Sequence, residues 1–292
     1  MTADRIALAR ALHRSRIGAL LRLAARQAAA AANAALAEQG LTLPQLEVLA
    51  GVAAQPGEDQ LSIASRLGMD RSSMATLAQG LEESGLLVRS PGADRRRKLL
   101  RLGPAGQGRL GRGVDAVRAA ETALLAPLCA DGLALREGLE TLAARHTDLD
   151  VAPAPLRSRI AFLLRRLAHA ANAMFVAEGG PEHLGGLDYS ILTLLAEGVA
   201  DDQASLIEAI STSRSATLPA LTRLLRDGLI ERTGDPADRR RKPLAITSSG
   251  RARIAALAGA VARYEEAFLA PLNPAAAKRL RAALVRLTEG IA

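Results

Sequence analysis

Apolar residues return at three- and four-residue spacing along most of this chain and alternate with polar ones over only a few short stretches. The helical spacing predicts long helices over about 4–38, 44–54, 104–126 and 132–146. It predicts them again over about 155–178, 187–198, 248–269 and 274–290. Two shorter helical pairs lie between. In the first pair Leu61, Ala64 and Leu67 share a face, and Gly68 allows a tight turn. The next helix starts near Asp70, a good N-cap, and stops at Gly85, which suits a left-handed C-terminal cap. In the second pair Ala204, Ile207 and Ile210 make the face, and the next helix runs from Ser213 to Gly228. Each pair is followed by two strand-like runs around a polar tip, 86–89 with 98–102 and 229–232 with 244–247, which is the pattern of a β-hairpin.

The elements come twice because the chain repeats itself. Arg14-Ser15-Arg16-Ile17 returns as Arg157-Ser158-Arg159-Ile160, and Gly85-Leu86-Leu87 as Gly228-Leu229-Ile230, both 143 residues later. Asp94-Arg95-Arg96-Arg97-Lys98 returns as Asp238-Arg239-Arg240-Arg241-Lys242, and Leu125-Ala126-Pro127-Leu128 as Leu269-Ala270-Pro271-Leu272, both 144 residues later. Four ordered matches at nearly one spacing define two copies, 1–148 and 149–292. The joint is Asp148–Pro155, where Pro153 and Pro155 stop helix and favour an extended backbone.

Composition narrows the class. The 292 residues carry 38 Lys plus Arg against 30 Asp plus Glu, a net charge of +8, or +4 in each copy. Only three of the cations are Lys, and Arg favours planar, bidentate contact with phosphate or carboxylate. Aromatic residues make up 2%, so the core has to be aliphatic. A single Cys excludes an internal disulfide framework and a Cys-based zinc cluster. No uninterrupted apolar run approaches the ~20 residues of a membrane span, and the charged N-terminus has no apolar signal core. A soluble, cytoplasmic, mostly helical protein with a basic face and no membrane partner is expected.

Two short helices and a hairpin in that order make a winged helix-turn-helix, whose second helix can lie in a DNA major groove. The expected fold is mainly α with small β-hairpin wings. Helix-turn-helix, then Gly85-Leu86-Leu87-Val88-Arg89, then Asp94-Arg95-Arg96, then Leu102-Gly103-Pro104-Ala105-Gly106 opening a long helix, resembles the MarR family of bacterial transcription regulators. The second copy carries Gly228-Leu229-Ile230-Glu231-Arg232, Asp238-Arg239-Arg240 and Ile246-Thr247-Ser248-Ser249-Gly250. The resemblance implies a single-chain fused dimer, monomeric in solution, whose two winged repeats share a helical core about a pseudo-two-fold axis. It implies double-stranded DNA as partner, read as two half-sites, and control by a small aromatic or phenolic ligand, most commonly as a repressor. It implies DNA contact from Arg71, Ser72, Ser73 and Thr76 in the first copy, and from Arg214, Ser215, Ala216, Thr217 and the position of Pro219 in the second. In the wings, Arg96 and Arg240 match a minor-groove arginine that Asp94 and Asp238 orient. Arg95, Arg97, Lys98, Arg239, Arg241 and Lys242 would hold phosphates. Pro219 is expected to kink or weaken its helix, so that the second copy reads DNA poorly or reads a different half-site.

Phe162, Phe175, Tyr189, Tyr264 and Phe268 all lie in the second copy, which suggests one better-formed ligand pocket there; the alternative for each ring is core packing. Cys129 is expected to be a buried or passive thiol. The glycines at 103, 106, 108, 111 and 113 read as a flexible hinge. His13, His146, His169 and His183 form no short-spaced ligand pair, and no nucleophile elbow or phosphate loop is present, so no metal, cofactor or catalysis is expected. Two other readings stay open. One is a ligand-binding or catalytic protein on this scaffold that has lost DNA reading; the other is a basic protein that binds duplex without sequence preference.

Overall fold

The computed structural model describes residues 11, 14–91, 98–149, 152–179, 184–210, 212–233 and 243–289. In the first copy α1 (Ile17–Leu36) is followed by α2 (Leu43–Ala54), α3 (Gln60–Leu67) and α4 (Arg71–Glu83). The hairpin strands β1 (Leu87–Pro91) and β2 (Lys98–Leu102) come next, then α5 (Gly106–Leu125) and α6 (Ala130–His146). The second copy repeats the order with α7 (Ile160–Glu178), α8 (Gly186–Ala196), α9 (Gln203–Ile210), α10 (Arg214–Arg226), β3 (Ile230–Arg232), β4 (Leu244–Ile246), α11 (Ser248–Leu269) and α12 (Pro274–Glu289). Both hairpins are antiparallel, with Leu87 opposite Leu102 and Ile230 opposite Ile246.

The chain forms two units. Unit 1 joins Met1–Ala24 to Ala168–Ala292, and unit 2 is Ala25–Leu167. Each unit therefore takes a segment of its first helix from the other copy. The joints of these segments are built alike. In unit 1 the Glu265 carboxylate accepts from the Ile17 N–H at 2.9 Å, and Arg281 donates to the same carboxylate and to the Ser15 carbonyl at 2.6 and 3.1 Å. In unit 2 Glu121 accepts from the Ile160 N–H at 3.0 Å, and Arg136 donates to Glu121 and to the Ser158 carbonyl. A glutamate thus meets the buried N–H end of each of these two helices, where a negative charge is favoured.

Several expectations are corrected. The joint between copies is not extended where it is described: Leu156 and Arg157 N–H groups both donate to the Pro153 carbonyl, and Leu156 is buried. In α3 the buried face is Ile63, Ala64 and Leu67, with Leu61 exposed. In α9 it is Leu206, Ala209 and Ile210, so Ala204 and Ile207 are not the core positions. Of the glycines around the start of α5, Gly103, Gly106 and Gly113 are close-packing positions and not a hinge, whereas Gly111 faces open space and Gly108 only the end of the Arg112 side chain. A side chain at Gly103 would meet the Gly85 carbonyl oxygen at 2.2 Å, and one at Gly106 the Leu86 oxygen at 2.3 Å. Gly250, at the matching place in α11, would meet the Leu229 oxygen at 2.2 Å. Cys129 is exposed, with φ of 50°, a backbone conformation suited to glycine. Helix α7 is long and apolar enough to cross a membrane, with a mean hydropathy of 1.3 over its most apolar window. Here it is a core helix: Phe162, Leu163, Leu164 and Leu167 are buried in the fold, and Arg165 is ion-paired from its middle.

Candidate DNA interface and ligand cavity

In unit 2 the second helix of the pair, α4, is capped by Asp70. Its carboxylate accepts from the Ser73 N–H at 2.8 Å and from the Ser72 and Ser73 hydroxyls, both at 2.6 Å. These three bonds hold the Asp70 carboxyl well below the usual carboxylate range. Met74, Ala78 and Leu81 turn into the core, which leaves Arg71, Ala75, Thr76 and Gln79 exposed on the opposite face. An open cleft runs between this face and the hairpin, lined by Gln60, Leu61, Arg71, Gln79, Arg89 and Lys98 among others. Arg89 is paired with Glu82 of α4 at 3.4 Å and Asp59 also lines the cleft, so Arg71 and Lys98 are the cations placed to meet a phosphate backbone.

In unit 1 the matching helix α10 is capped by Ser213, whose hydroxyl accepts from the Ala216 N–H at 3.2 Å. Pro219 lies inside it, yet α10 runs unbroken for 13 residues, the same length as α4. The lost bond falls on the carbonyl of the exposed Ser215, where water can replace it. The exposed face carries Arg214, Ser215, Ala216, Leu218, Pro219 and Thr222, with Leu218 48% exposed. Where α4 offers Ala75 and Thr76, α10 offers Leu218 and Pro219.

Helix α10 is tied to the start of α8 by an ion pair, whereas the pair on α4 joins its Glu82 to Arg89 of the hairpin. Arg223 donates to both oxygens of the buried Asp188, with NH2 at 2.7 Å from Oδ1 and 3.0 Å from Oδ2. Asp188 accepts from the Gly185 N–H at 3.2 Å as well, so it holds the start of α8 and the recognition helix together. The matching positions in unit 2 are Gln45 and Gly80.

Beside that turn, unit 1 contains a cavity of about 360 Å³ including its open mouth. Phe175, Tyr189 and Tyr264 form an aromatic wall: Phe175 meets Tyr189 edge-on at 5.5 Å between ring centres and Tyr264 at 5.8 Å. The polar lining comes from Arg16, Arg22, Asn172, Ser190 and Glu265. Arg16 lies over the Tyr189 ring, 4.4 Å from its centre. Arg22 reaches only neutral oxygens, the Gly186 carbonyl and the Ser190 hydroxyl, both at 3.4 Å. Among the described residues it has no carboxylate partner, and burial presses its guanidinium below the ordinary arginine range. Room for these groups is made by glycine: a side chain at Gly18 would meet the Tyr264 hydroxyl at 2.8 Å, and one at Gly186 would meet Arg22 at 2.7 Å. Desolvation, aided by nearby Glu265, raises the Tyr264 phenol, which therefore stays protonated and able to donate.

Models of the MarR family match residues 39–97 and 187–242, which cover the two-helix pair and the first hairpin strand of each copy. The chain belongs to the MarR family. Among its relatives, the HTH-type transcriptional repressor NicR of Pseudomonas putida is 26% identical over 125 residues, which is 43% of this chain and 79% of that protein. A putative transcriptional regulatory protein for the hcr operon of Thauera aromatica is 36% identical over 34% of this chain and 60% of its own length. Of the solved structures, the PcaV transcriptional regulator of Streptomyces coelicolor is 33% identical over 41% of this chain and 91% of its own, with a TM-score of 0.36. NicR and the Thauera protein each align with less than half of this chain, while the family models match it twice. MarR-type regulators of DNA thus correspond to one copy, and this chain carries a tandem.

Within the MarR lobes the expected DNA-facing residues Arg71, Ser72, Ser73 and Thr76 are exposed, as are Lys98, Arg214 and Ser215. Ser72 and Ser73 are already engaged as partners of Asp70. Thr217 is corrected: it is fully buried, donates to the Ser213 carbonyl at 2.9 Å, and holds the core position that Met74 fills in α4. Asp94, Arg95, Arg96, Arg97, Asp238, Arg239, Arg240, Arg241 and Lys242 lie outside the described residues.

The five rings do not act as one group. Phe175, Tyr189 and Tyr264 line the unit 1 cavity. Phe268 packs behind Tyr264, 6.0 Å between centres, and is not in the lining. Phe162 belongs to unit 2, where it is fully buried. The composition pattern missed Arg16, Arg22 and Ser190. Arg16 stands in the repeated Arg-Ser-Arg-Ile motif, but nothing in the sequence marked the cavity that it and Arg22 share with Ser190 of α8.

Proposed function

We propose that this chain is a single-chain pseudo-dimeric repressor of the MarR type, which reads a two-half-site operator and is released by a small aromatic carboxylate bound in unit 1. Unit 2 supplies the main sequence-reading helix, α4, and α10 binds with less selectivity because Leu218 and Pro219 replace polar edges with apolar ones. A carboxylate in the cavity would complete Arg22, which lacks an acid, and its ring would stack among Phe175, Tyr189 and Tyr264.

The observation that carries this reading is the Asp188 turn. Its neighbours Gly186, Tyr189 and Ser190 line the cavity, while Asp188 itself grips Arg223 on the recognition helix. A ligand that shifts α8 therefore shifts α10, and lowers DNA affinity by the difference in its own affinity for the two positions. Relatives agree in kind: PcaV of Streptomyces coelicolor has been solved in complex with its natural ligand, and NicR is a transcriptional repressor.

The test is fluorescence anisotropy of labelled duplex from the DNA flanking the coding region, with benzoate as the added ligand. Tight binding that weakens steeply with salt, and release by benzoate that Arg22→Ala abolishes, are expected. Equal affinity for random duplex, or benzoate release that Arg22→Ala leaves intact, would overturn the reading.

A further inference from the structure

The repeat gives the unit 1 cavity a counterpart in unit 2, and the two differ where it matters. The 143-residue register puts Arg165 at the place of Arg22, Glu47 at that of Ser190 and Phe162 at that of Ala19. The contacts agree with that register. Arg22 meets Ser190 Oγ at 3.4 Å, and Arg165 meets Glu47 through NH2 to Oε2 at 2.8 Å and Nε to Oε1 at 3.3 Å. Glu47 is 1% exposed. Phe162 is fully buried, with its ring centre 5.6 Å from the Arg165 guanidinium carbon and 5.5 Å from that of Arg166. Where unit 1 has Phe175, Tyr189 and Tyr264, unit 2 has Ala32, Leu46 and Ala120. The space there is about 220 Å³ including its open mouth, lined by Ala28, Ala31, Ala32 and Ala120 and by Glu121, which is already bonded to Arg136 and Ile160.

We propose that the unit 2 site is closed by the chain's own side chains, with the Glu47 carboxylate and the Phe162 ring standing where a ligand's carboxylate and ring would stand, so that the chain takes up one aromatic carboxylate and takes it in unit 1. The residue at the Glu47/Ser190 position then decides which copy responds to ligand. This rests on reading the unit 1 cavity as an aromatic-carboxylate site. An arginine supplied with an internal carboxylate has no need of an external one, and adding a second anion beside Glu47 is repelled. An arginine facing only a hydroxyl and a carbonyl keeps its demand for an anion. The ring works in the same direction: Phe162 fills volume that the methyl of Ala19 leaves open.

The experiment is isothermal titration calorimetry of the full chain with benzoate. One site per chain is expected. Ser190→Glu, which gives unit 1 its own carboxylate, is expected to raise the Kd at least about tenfold, the scale of one charge-assisted hydrogen bond. Ser190→Gln, of similar size without charge, is expected to do less. The double variant Glu47→Ser with Phe162→Ala is expected to bind two benzoates; if it does not fold, as circular dichroism would show, Ser190→Glu decides. Two sites in the parent chain, or a Ser190→Glu variant that binds as tightly as the parent, would overturn this inference while leaving the unit 1 site standing. No binding at all by the parent chain would instead overturn the unit 1 reading.

Discussion

The two copies use the same architecture around two arginines, and differ in what each arginine faces. Arg165 lies against a buried carboxylate and Arg22 against a hydroxyl. Arg165 is therefore part of the fold, and Arg22 is free to be part of a site. A charge whose partner is inside the chain contributes to structure; a charge whose partner is missing defines what the protein can bind. In a symmetric homodimer both sites would carry the same residue. A tandem chain lets one of them become structural.

The sharpest way to break this contrast is to remove each arginine. Arg165→Ala strands Glu47 in the core and is expected to cost about 3 kcal/mol in denaturant unfolding, since breaking a buried pair leaves an uncompensated charge. Arg22→Ala strands no carboxylate and is expected to cost less than Arg165→Ala. Equal losses would show that the two arginines have the same role. A second contrast sits on the recognition helices. Arg223→Ala leaves the buried Asp188 without its half-exposed cation and is expected to destabilise unit 1 by about 1–3 kcal/mol, read by hydrogen exchange on α10. Gly80→Ala at the matching place in α4 meets open space, and is expected to stabilise that helix by a few tenths to about 1 kcal/mol.

Where the copies agree, substitutions should agree. Gly106→Ala and Gly250→Ala each drive a methyl into a backbone carbonyl, and both are expected to cost about 1–3 kcal/mol in thermal unfolding. A loss in only one would show that the hairpin-to-helix junctions are not equivalent. The junction after the long helices does differ. Asn273 caps α12 by accepting from the Ala276 N–H at 2.9 Å, whereas Cys129 opens α6 with positive φ and no side-chain cap. Asn273→Ala is expected to lose about 1 kcal/mol, and Cys129→Gly to gain somewhat less than that. The smallest effect is with pH. The Asp70 carboxyl is held below its ordinary value of 3.8, so its contribution to α4 is full above that pH and fades as pH falls further toward the folded value. Asp70→Asn is expected to remove this acid-side slope from the unfolding curve of unit 2 and to leave unit 1 unchanged.

Much of the fold was legible because its signals are local. Asp70 and Ser213 announced their caps, Gly85 and Gly228 their helix ends, and the repeated motifs the tandem. The glycines at 103 and 106 were visible but misread, because a close approach to the Gly85 and Leu86 carbonyls is a tertiary fact with no local pattern. Thr217 was misplaced for a similar reason: its type suits an exposed face, but its register puts it under α10 with the core. The site was legible in part. Three of the five rings did gather around one cavity, but Phe162 went to the other unit, because the first helix of each copy is divided between units. The Glu47–Ser190 difference stood in the sequence throughout at one offset. It acquired meaning only when burial showed which arginine each residue faces.

The most direct measurement is a fluorine NMR titration of the full chain with a monofluorinated benzoate. A single bound resonance that disappears in the Ser190→Glu variant is expected. Two bound resonances of equal intensity, or one that persists in Ser190→Glu, would contradict the claim that one copy holds the ligand and the other has filled its own site.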